Sequence, residues 1–342
     1  MQKTAIIGLG KIGLMHAAVV NVVPNAALAC LIDSNTSLVG RAKSLIGEQI
    51  PFYPSLEEAL RHQALDAAVI CAPHFAHEPI AALCLERGLH VFSEKPMANS
   101  LQAAERMRTL ARAKGRVHAV GFMKLHYPHY QKVAALLKEG AIGALQSFRA
   151  TLRLSQVMRP PKGWMYEPAL SGGGMVMTCG CHALSLLYRW FGIPQRLKAE
   201  GRSVYSQRVE DEARVEMEFA SGLKGTFDAS WSVPGYPFEQ TQVEIQGTQG
   251  TIVAHDSGFS LRQPSGPASK ETFFHRSQFD RATYDFSPDY GGEGYFNEEA
   301  DFIACCESGG QPVVTFDDGW AIQRVIDAIY RSFKEGPVTL HD

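Results

Sequence analysis

No sign of charge dominates this 342-residue sequence, and no apolar run is long enough to cross a membrane. Lys and Arg number 33 and Asp and Glu number 35, for a net charge of −2. Such a balance leaves no electrostatic footprint for nucleic acid or an anionic membrane. Every apolar stretch is interrupted by Gly or a charged residue before it reaches the roughly 18 residues of a membrane helix. We therefore expect no nucleic-acid partner, no membrane partner and a small-molecule substrate.

Paired cysteine spacings are also lacking. An odd number of cysteines in mostly apolar surroundings is typical of reduced core thiols in a cytosolic protein, and no pair has the spacing of a zinc site. The first residues run into a strand-like segment without the pattern of a signal peptide. We expect a cytoplasmic protein with no metal site. The seven cysteines are Cys30, Cys71, Cys84, Cys179, Cys181, Cys305 and Cys306.

What the sequence does contain changes character near residue 122. Before it, short apolar runs alternate with helical patterns, which predicts a parallel sheet covered by helices. After it, period-two alternation predicts strands with one buried face, as in an open, mainly antiparallel sheet. Residues 256–294 are rich in Gly, Pro and Ser and predict a loop. The predicted fold is therefore α/β plus α+β, with domains at 1–121 and 122–342.

A glycine motif opens the first domain. Gly8, Gly10 and Gly13 follow a strand-like run and begin a helical pattern, with Lys11 and Ile12 between the last two. The first glycine permits a tight turn, the second lets the backbone approach a pyrophosphate, and the third lets helix and strand pack closely. The alternative is an ordinary strand–helix turn that needs flexible residues. The context predicts a Rossmann domain that binds a dinucleotide.

An acidic residue stands at the end of the second predicted strand. Asp33 follows the last glycine of the motif by 20 residues, where a carboxylate accepts hydrogen bonds from the adenosine ribose hydroxyls. It would repel a 2′-phosphate, and Ser34 and Asn35 supply no positive charge to pair with one. NAD is therefore the expected cofactor, with NADP possible; the alternative is a helix-capping Asp in a turn.

The motifs together resemble the Gfo/Idh/MocA oxidoreductase family. The resemblance runs in order along nearly the whole chain, and it implies a Rossmann domain followed by a substrate-binding, oligomer-forming sheet domain. It also implies hydride transfer between a nicotinamide and a secondary alcohol of a sugar, polyol or related cyclic compound, in a homodimer or homotetramer. The motifs are the glycine turn, Cys71-Ala72-Pro73 with His77, Gly88 to Pro96, Val120-Gly121-Phe122, Gly172 to Gly174 with His182, and Asp317 to Ser332.

The resemblance assigns roles at the predicted edge of the parallel sheet. Ala72 and Pro73 resemble the family's loop beside the nicotinamide, and Glu94 and Lys95 follow a strand that ends at the same crevice. Lys95 is implied as a hydrogen-bonding and proton-relay residue; the alternative is a solvated Lys–Glu pair. His77 matches a frequent family histidine at the cofactor, although a structural histidine at a helix N-terminus is equally consistent with the sequence.

A second candidate centre lies in residues 175–191. This segment is apolar around most of its circumference and predicts a buried helix with Thr178 and His182 on one polar stripe. The preceding glycines, 172–174, would let the backbone approach a ligand. An imidazole here can take the proton of an alcohol, and the resemblance implies that role for His182; the alternative is a hydrogen-bonded core histidine. Many family members have Asp where this chain has Thr178, so this residue offers only a neutral hydrogen bond.

Three further residues are candidates for contact with substrate. The resemblance associates Lys124 with a cofactor- or substrate-facing position and Trp164 with a site where the family tends to have Trp, whereas Arg153 is a candidate because an arginine can bind a substrate carboxylate. For Arg153 a surface salt bridge is the commoner fate of an arginine. Two other functions stay open beside the dehydrogenase. One is NAD-dependent glycoside cleavage through transient oxidation, and the other is a non-catalytic dinucleotide- or sugar-binding regulator.

Overall fold

The computed structural model describes residues 1–264, 269–272 and 293–340. Two compact units emerge from the packing of the chain. Residues 1–126 group with the later stretch that ends at Trp320, whereas the second unit begins at Tyr127 and includes Ala321 onward.

The first unit is a six-stranded parallel sheet with the strand order β3-β2-β1-β4-β5-β6. This order is that of a doubly wound dinucleotide-binding sheet, whose ligands bind outside the carboxyl ends of the strands. Its strands are β1 (Gln2–Ile7), β2 (Ala26–Ile32), β3 (Phe52–Tyr53), β4 (Ala67–Ile70), β5 (His90–Glu94) and β6 (His118–Gly121). Its helices up to residue 126 are α1 (Lys11–Val20), α2 (Val39–Ile46), α3 (Leu56–His62), α4 (His74–Glu86) and α5 (Leu101–Lys114).

A helix from much later in the chain completes this unit. Its apolar residues, including Phe296, Phe302 and Ile303, belong to the same buried cluster as Ile6 of β1 and Leu14 of α1. The structure therefore differs from the predicted division at 121/122, because the first core recruits a segment that is remote in sequence. No local sequence pattern tells which core this helix joins, because that depends on the distant residues against which it packs.

The second unit is a mixed sheet of nine strands flanked by helices. The strand order is β14-β13-β12-β11-β7-β10-β9-β8-β15, and among these described strands the neighbours pair antiparallel except for β7 with β10. The strands are β7 (Leu145–Arg153), β8 (Arg196–Arg202), β9 (Glu212–Glu218), β10 (Lys224–Ser230), β11 (Gln240–Gly247), β12 (Gly250–His255), β13 (Gly258–Arg262), β14 (Ser269–Thr272) and β15 (Val338–Thr339). The helices from residue 128 onward are α6 (Pro128–Lys138), α7 (Pro168–Ser171), α8 (Cys181–Phe191), α9 (Glu293–Ser308), which is the helix that completes the first unit, and α10 (Phe316–Glu335).

Burial along the strands of this sheet follows the predicted alternation. In β9 the side chains of Val215 and Met217 are buried while Arg214 and Glu216 face solvent, and β7 and β11 alternate in the same way. The prediction of a mainly antiparallel sheet with one buried face is confirmed. The prediction of a loop over 256–294 is wrong at β13 and β14, which pair with each other, and much of the rest of that stretch lies outside the described residues.

The apolar segment that predicted a buried helix is buried but not one uniform helix. Residues Val176–Gly180 form a π-helical turn, and the regular helix α8 begins only at Cys181. The expectation that no apolar run is long enough to cross a membrane is wrong by length and composition for one helical stretch, Pro168–Phe191, although 89% of its most apolar window is buried inside the protein. That degree of burial is typical of a core helix. A π-turn is rare and occurs mostly at functional sites.

All seven cysteines are free thiols. Burial raises the pKa of the Cys30 and Cys84 thiols to about 12, because a thiolate loses its hydration in an apolar core. Such thiols are not nucleophiles at neutral pH. The structure thus agrees with the prediction of reduced thiols that lie mostly in the core, with Cys71 only partly buried.

Candidate functional site

The glycine turn packs its helix onto the sheet at a distance that no side chain permits. A Cβ on Gly13 would lie 1.8 Å from the carbonyl oxygen of Gly8. Gly8 itself has φ +96°, and a Cβ there would lie 2.8 Å from the backbone of Cys71 and Ala72. Both residues therefore have to be glycine for α1 to start where it does.

The middle glycine has a different surrounding. A Cβ on Gly10 would meet nothing within 4 Å among the described residues, and no side chain caps the first turn of α1 there. Lys11 and Ile12, the first residues of α1, are exposed. The first amides of a helix carry positive partial charge and bind phosphate well. The open space and the exposed first turn thus fit the pyrophosphate of a dinucleotide, as the sequence predicts.

Asp33 lies where the second strand of the sheet ends, beside the glycine turn. Its Oδ2 accepts a hydrogen bond from the Leu9 amide at 2.7 Å, and its Oδ1 accepts one from the Asn35 amide at 2.7 Å. A carboxylate offers about four lone-pair sites, so two backbone bonds leave acceptor capacity for ribose hydroxyls. The amide of Leu9 ties the predicted ribose acceptor directly to the glycine turn.

His77 ties together the two loops that were predicted to face the cofactor. Its ring nitrogens lie 2.8 Å from the carbonyl oxygen of Ala72 and 3.0 Å from that of Pro96. Burial lowers the pKa of His77, so the neutral ring donates to one carbonyl at a time. These hydrogen bonds are those of a structural residue, and direct contact of His77 with a cofactor stays a prediction.

The Lys95 backbone is anchored by its neighbour in sequence. β5 ends at Glu94, whose Oε2 accepts a hydrogen bond from the Lys95 amide at 2.8 Å. Lys95 is half-buried, and the peptide bond that joins it to Pro96 is cis. Lys95 therefore stands directly beyond the carboxyl end of β5, at the edge of the sheet where ligands bind in this fold.

Glu94 is itself held by a buried ionic cluster that the sequence did not reveal. The Nε2 atom of His16, on α1, lies 3.0 Å from Glu94 Oε1, and its Nδ1 hydrogen-bonds the Oε1 of Glu299 on α9. His16 and Glu299 have no exposed surface, and Glu94 is 5% exposed. Glu298, the neighbour of Glu299, is also buried and lies against the same group.

The protonation states of this cluster are governed by one imidazolium, that of His16. Burial alone would lower the pKa of His16, but its bonds to Glu299 and Glu94 outweigh burial and raise that pKa to about 10. Burial alone would raise the pKa of Glu94, yet the hydrogen bond and charge of His16 hold it below its usual value. Burial and the repulsion of Glu94 raise the pKa of Glu298 well above its usual range. At neutral pH, Glu298 is thus a neutral acid beside an ionic pair.

The same cluster contains a donor set of the kind that binds cations. One ligand atom each from His16, Glu94 and Glu298 lie within 4.8 Å of one another. Both ring nitrogens of His16 already face carboxylate oxygens, so the imidazole has no lone pair to offer while it is doubly protonated. The imidazolium therefore supplies the positive charge among these carboxyl groups.

In the second unit, the predicted proton acceptor lies in the first turn of α8. His182 is 4% exposed and Thr178, within the π-turn that precedes it, is 6% exposed. The carbonyl oxygen of His182 accepts a hydrogen bond from Ser185 Oγ at 2.7 Å. Both residues of the predicted polar stripe, Thr178 and His182, are buried, as is Ser185 on the next turn of α8, whereas Arg189 near the end of the helix is exposed.

Two side chains that received no predicted role, the buried Glu210 and the half-buried Tyr330, cap the π-turn. The carboxylate of Glu210 accepts hydrogen bonds from the amides of Gly174 at 3.0 Å and Val176 at 2.9 Å, and from Tyr330 Oη at 2.8 Å. Tyr330 Oη in turn accepts from the amides of Gly174 at 3.1 Å and Met177 at 3.2 Å. The amides that a helix start leaves unsatisfied therefore find protein partners here.

This capping corrects the role predicted for the glycines before the turn. A Cβ on Gly173 would lie 2.0 Å from Tyr330 Oη, and one on Gly174 would lie 2.1 Å from the carbonyl oxygen of Glu210. Both residues are glycine because protein atoms fill the space where a side chain would go. The expectation that they let the backbone approach a ligand is wrong for Gly173 and Gly174.

The three residues predicted to contact substrate lie in different surroundings. Lys124, in the first unit, is 2% exposed within a short 3₁₀ turn after β6. Trp164, in the second unit, is half-buried and begins another 3₁₀ turn. Arg153 lies on the exposed face of the sheet, where it donates a hydrogen bond to Tyr236 Oη at 2.9 Å. All three assignments stay predictions.

Sequence reasoning missed His16, Glu210, Glu299 and Tyr330 as functional candidates. His16 falls on the apolar face of α1 in the helical pattern, and the polar partners of that face are about 80 and 280 positions away. Tyr330 lies within a motif that carries the family resemblance, without a role attached to it. A polar residue on an otherwise apolar helix face was the available signal for His16.

The family description "Oxidoreductase family, NAD-binding Rossmann fold" matches residues 2–122, and "GFO/IDH/MocA C-terminal domain" matches residues 130–253. The chain belongs to the Gfo/Idh/MocA family. The predicted family, the two-part fold, the oxidoreductase class and the NAD-binding first domain are thereby confirmed.

Curated relatives match over nearly the whole chain. The scyllo-inositol 2-dehydrogenase (NAD(+)) of Bacillus subtilis is 27% identical over 357 residues, covering 99% of this chain and 96% of the relative. The myo-inositol 2-dehydrogenase of Thermotoga maritima is 24% identical, covering 93% of this chain and 92% of the relative. The solved complex of levoglucosan dehydrogenase with NADH and levoglucosan has a TM-score of 0.87 at 23% identity, with both chains fully covered. That likeness supports the fold.

The glycine geometry predicts opposite outcomes for two alanine substitutions. Gly13→Ala drives a methyl group into the Gly8 carbonyl, so we expect a loss of about 3 kcal/mol or more in the free energy of unfolding. Gly10→Ala meets open space, so we expect a stability change within about 1 kcal/mol and at least a tenfold loss of NAD affinity, which is about 1.4 kcal/mol. Denaturant unfolding and calorimetry measure the two effects. Equal destabilisation by both variants would contradict the geometry.

The cap on the π-turn predicts a stability loss on removal of one hydroxyl. Tyr330→Phe leaves the Met177 amide unsatisfied and deprives Glu210 of a donor, so we expect a loss of about 2 kcal/mol in the free energy of unfolding. Tyr236→Phe is the matched control, since its hydroxyl bonds only an exposed arginine in the described structure, and it should cost less than about 0.5 kcal/mol. Thermal and denaturant unfolding compare the two, and equal stability of both variants would rule out the capping role.

Proposed function

We propose that this chain is a dehydrogenase that transfers hydride between NAD and a secondary alcohol or ketone of a sugar, polyol or related cyclic compound. The bound nicotinamide accepts or supplies the hydride at C4. The protein holds the reacting carbon in place and moves the hydroxyl proton. The names of the curated relatives, which act on inositols, xylose and levoglucosan, support this class of substrate.

One observation carries the proposal most directly. Lys95 follows β5 at the carboxyl edge of the parallel sheet, and the glycine turn follows β1 at the same edge, with only β4 between the two strands. An ammonium group at that edge can donate a hydrogen bond to a substrate hydroxyl and stabilise negative charge that develops on its oxygen. We assign Lys95 the role of holding and polarising that oxygen.

His182 is proposed as the group that takes the proton. An imidazole with an unperturbed pKa near 6.5 exchanges a proton readily at neutral pH, and its place in the first turn of a buried helix limits its freedom. Thr178 offers a hydroxyl rather than the carboxylate common in the family, so it provides no charge to stabilise an imidazolium. Removal of the hydroxyl proton is then assigned to His182, and polarisation of the hydroxyl oxygen to Lys95, without a contribution from a charge at residue 178.

We propose NAD rather than NADP as the preferred cofactor. The carboxylate of Asp33 is fixed by two backbone amides, and its negative charge would lie close to a 2′-phosphate on the adenosine ribose. The residues that follow, Ser34 to Ser37, bring no positive charge. One relative, from Haloferax volcanii, is named as an NADP-dependent xylose dehydrogenase, so cofactor choice varies among relatives.

The family resemblance also supports a homodimer or homotetramer formed through the second unit's sheet. The exposed face of that sheet bears a groove of about 510 Å³ lined by residues of both charges, among them Arg153, Arg202, Glu212 and Asp228. Charges of both signs on one face are compatible with pairing to a second copy. A cytoplasmic location is proposed from the free, buried thiols and the soluble composition.

Replacement of the proposed proton acceptor should separate turnover from cofactor binding. For His182→Ala we expect kcat to fall by about 10²-fold or more, because general-base catalysis contributes about 10²–10⁴-fold, while the Kd for NAD changes less than twofold. His255→Ala is the control, a histidine at the surface of the same unit that contacts Ser257. The measurement is reduced-nicotinamide absorbance with a panel of inositols and sugars, together with calorimetry.

The same panel discriminates among the functions. Turnover that persists in His182→Ala would contradict the role of His182. If the protein cleaves glycosides and its bound cofactor never exchanges, the result would favour glycoside cleavage through transient oxidation over the dehydrogenase function. Tight binding of NAD and sugar without turnover in the wild-type protein would point to a regulator.

Removal of the Asp33 charge should shift cofactor preference. For Asp33→Ser we expect NAD affinity to fall about tenfold or more, because ribose hydrogen bonds are lost, and NADP affinity to rise, because the repulsion is removed. Asp228→Asn, which removes an exposed charge paired with Arg214, is the control. Binding constants for both cofactors decide the matter, and an unchanged NAD/NADP ratio in Asp33→Ser would reject the assignment.

A further inference from the structure

We propose that His16, held by Glu299, is a positioning residue for Lys95: it fixes the Glu94 carboxylate, which holds the Lys95 amide. The inference rests on the proposed function, in which Lys95 contacts substrate. It adds a role for two residues of the core, His16 and Glu299, neither of which has any exposed surface. Each link lies within the first unit.

The first link joins α9 to α1. Nδ1 of His16 hydrogen-bonds Glu299 Oε1, and neither side chain has any exposed surface. The ring also packs against Phe92 at 5.5 Å and, edge-on, against Tyr295 at 5.6 Å. A ring fixed by a carboxylate on one nitrogen and by two aromatic faces presents its other nitrogen in one direction.

The second link joins α1 to the end of β5. Nε2 of His16 lies 3.0 Å from Glu94 Oε1, and the other oxygen of the same carboxylate accepts the Lys95 amide at 2.8 Å. A carboxylate that is free to rotate could not serve both bonds. A Cβ on Gly121 of β6 would lie 3.2 Å from Glu94 Oε1, so this carboxylate lies close against the neighbouring strand, in the space that a side chain at 121 would crowd.

The third element is the opposite side of the Lys95 peptide. The neutral ring of His77 donates to one carbonyl at a time, either Pro96 at 3.0 Å or Ala72 at 2.8 Å. When it donates to Pro96, the segment is held after Lys95 as well as before it. A side chain that meets a substrate oxygen within hydrogen-bond distance needs its Cα fixed to a fraction of an ångström, since an error of about 1 Å costs about 10²-fold in rate. The cluster restrains the amide side of Lys95, through the bond of that amide to Glu94.

Glu298 provides a matched control on the same helix. It is 1% exposed and adjacent to Glu299, and in the described part of the chain neither of its carboxylate oxygens has a hydrogen-bond partner. Its raised pKa makes it a neutral acid at neutral pH. Glu298→Gln therefore keeps both shape and charge, whereas Glu299→Gln removes the anion that holds His16.

Burial raises the pKa of Glu299, and the hydrogen bond and charge of His16 oppose that rise. With Glu94 and Glu299 both ionised, the two bonds of His16 require that the ring carry two protons. The groups that face the ring are Glu94 on β5, Glu298, Glu299 and Tyr295 on α9, and the Cys71 thiol and the Lys95 ammonium beyond Glu94. Loss of the Glu299 charge lowers the pKa of His16, because an opposite charge no longer favours the imidazolium. The neutral ring donates one hydrogen bond only, so Glu94 or residue 299 loses its donor at a lower pH.

The experiment compares Glu299→Gln and Glu298→Gln in the full-length chain. For Glu299→Gln we expect kcat to fall about tenfold, the alkaline limb of the kcat–pH profile to move to lower pH, and the Kd for NAD to stay within twofold. Glu298→Gln should match the wild type in all three. A general loss of core stability would not move the alkaline limb, and thermal unfolding of both variants is measured alongside.

A second measurement does not depend on turnover. Hydrogen exchange resolved to the single amide of Lys95 reports its bond to Glu94, and we expect faster exchange there in Glu299→Gln and in His16→Gln than in Glu298→Gln. If wild-type protein turns over no sugar or polyol, the proposed function fails while this comparison still decides the inference. Equal exchange and equal pH profiles in the two Glu variants would overturn it.

Discussion

The contact between Gly13 and the Gly8 carbonyl is the constraint on which the first unit depends. With no side chain at either position, α1 lies close against β1, and its first turn is left at the carboxyl edge of the sheet. Gly13 and His16 are three residues apart and so share a helix face. The close approach that exposes the amides of the first turn therefore also carries His16 into the core, where Glu94 and Glu299 meet it. One backbone contact sets up both the dinucleotide end of the site and the support of Lys95.

The two units solve the same problem with different chemistry. Each must hold a candidate proton-handling residue at the end of a regular element, where free amides and loops would otherwise allow motion. In the first unit a carboxylate bound to an imidazolium holds the Lys95 amide. In the second, Glu210 and Tyr330 satisfy the amides of the π-turn ahead of His182. Buried polar groups are stable only when they are paired, and both sets are paired mainly to backbone or to each other.

Much of the fold was predictable because it is written in local patterns. The glycine turn, Asp33, the strands of the parallel sheet and the one-faced strands of the second sheet all follow from spacing over a few residues. The return of α9 to the first core, the π-turn at Val176–Gly180 and the capping by Tyr330 do not. They depend on contacts between residues about 100 to 300 positions apart, and no periodicity records which distant side chain fills a space. The glycines at 173 and 174 show the consequence: their sequence signal was detected, but whether ligand or protein fills the gap depended on Tyr330 and Glu210.

The buried cluster around His16 is better explained by positioning than by stability. Removing two charged groups from water costs several kcal/mol per ion, and apolar residues of similar volume are often as stable as a buried ion pair. A hydrocarbon core beneath β5 would thus support the sheet equally well. It would not offer an acceptor to the Lys95 amide at 2.8 Å, nor a donor that fixes that acceptor. An unpaired carboxylate would become protonated on burial, as at Glu298, and a neutral carboxyl oxygen accepts a hydrogen bond more weakly than a charged one. An acceptor that keeps its charge in the core holds the Lys95 amide more firmly, and the imidazolium of His16, itself held by Glu299, keeps Glu94 charged.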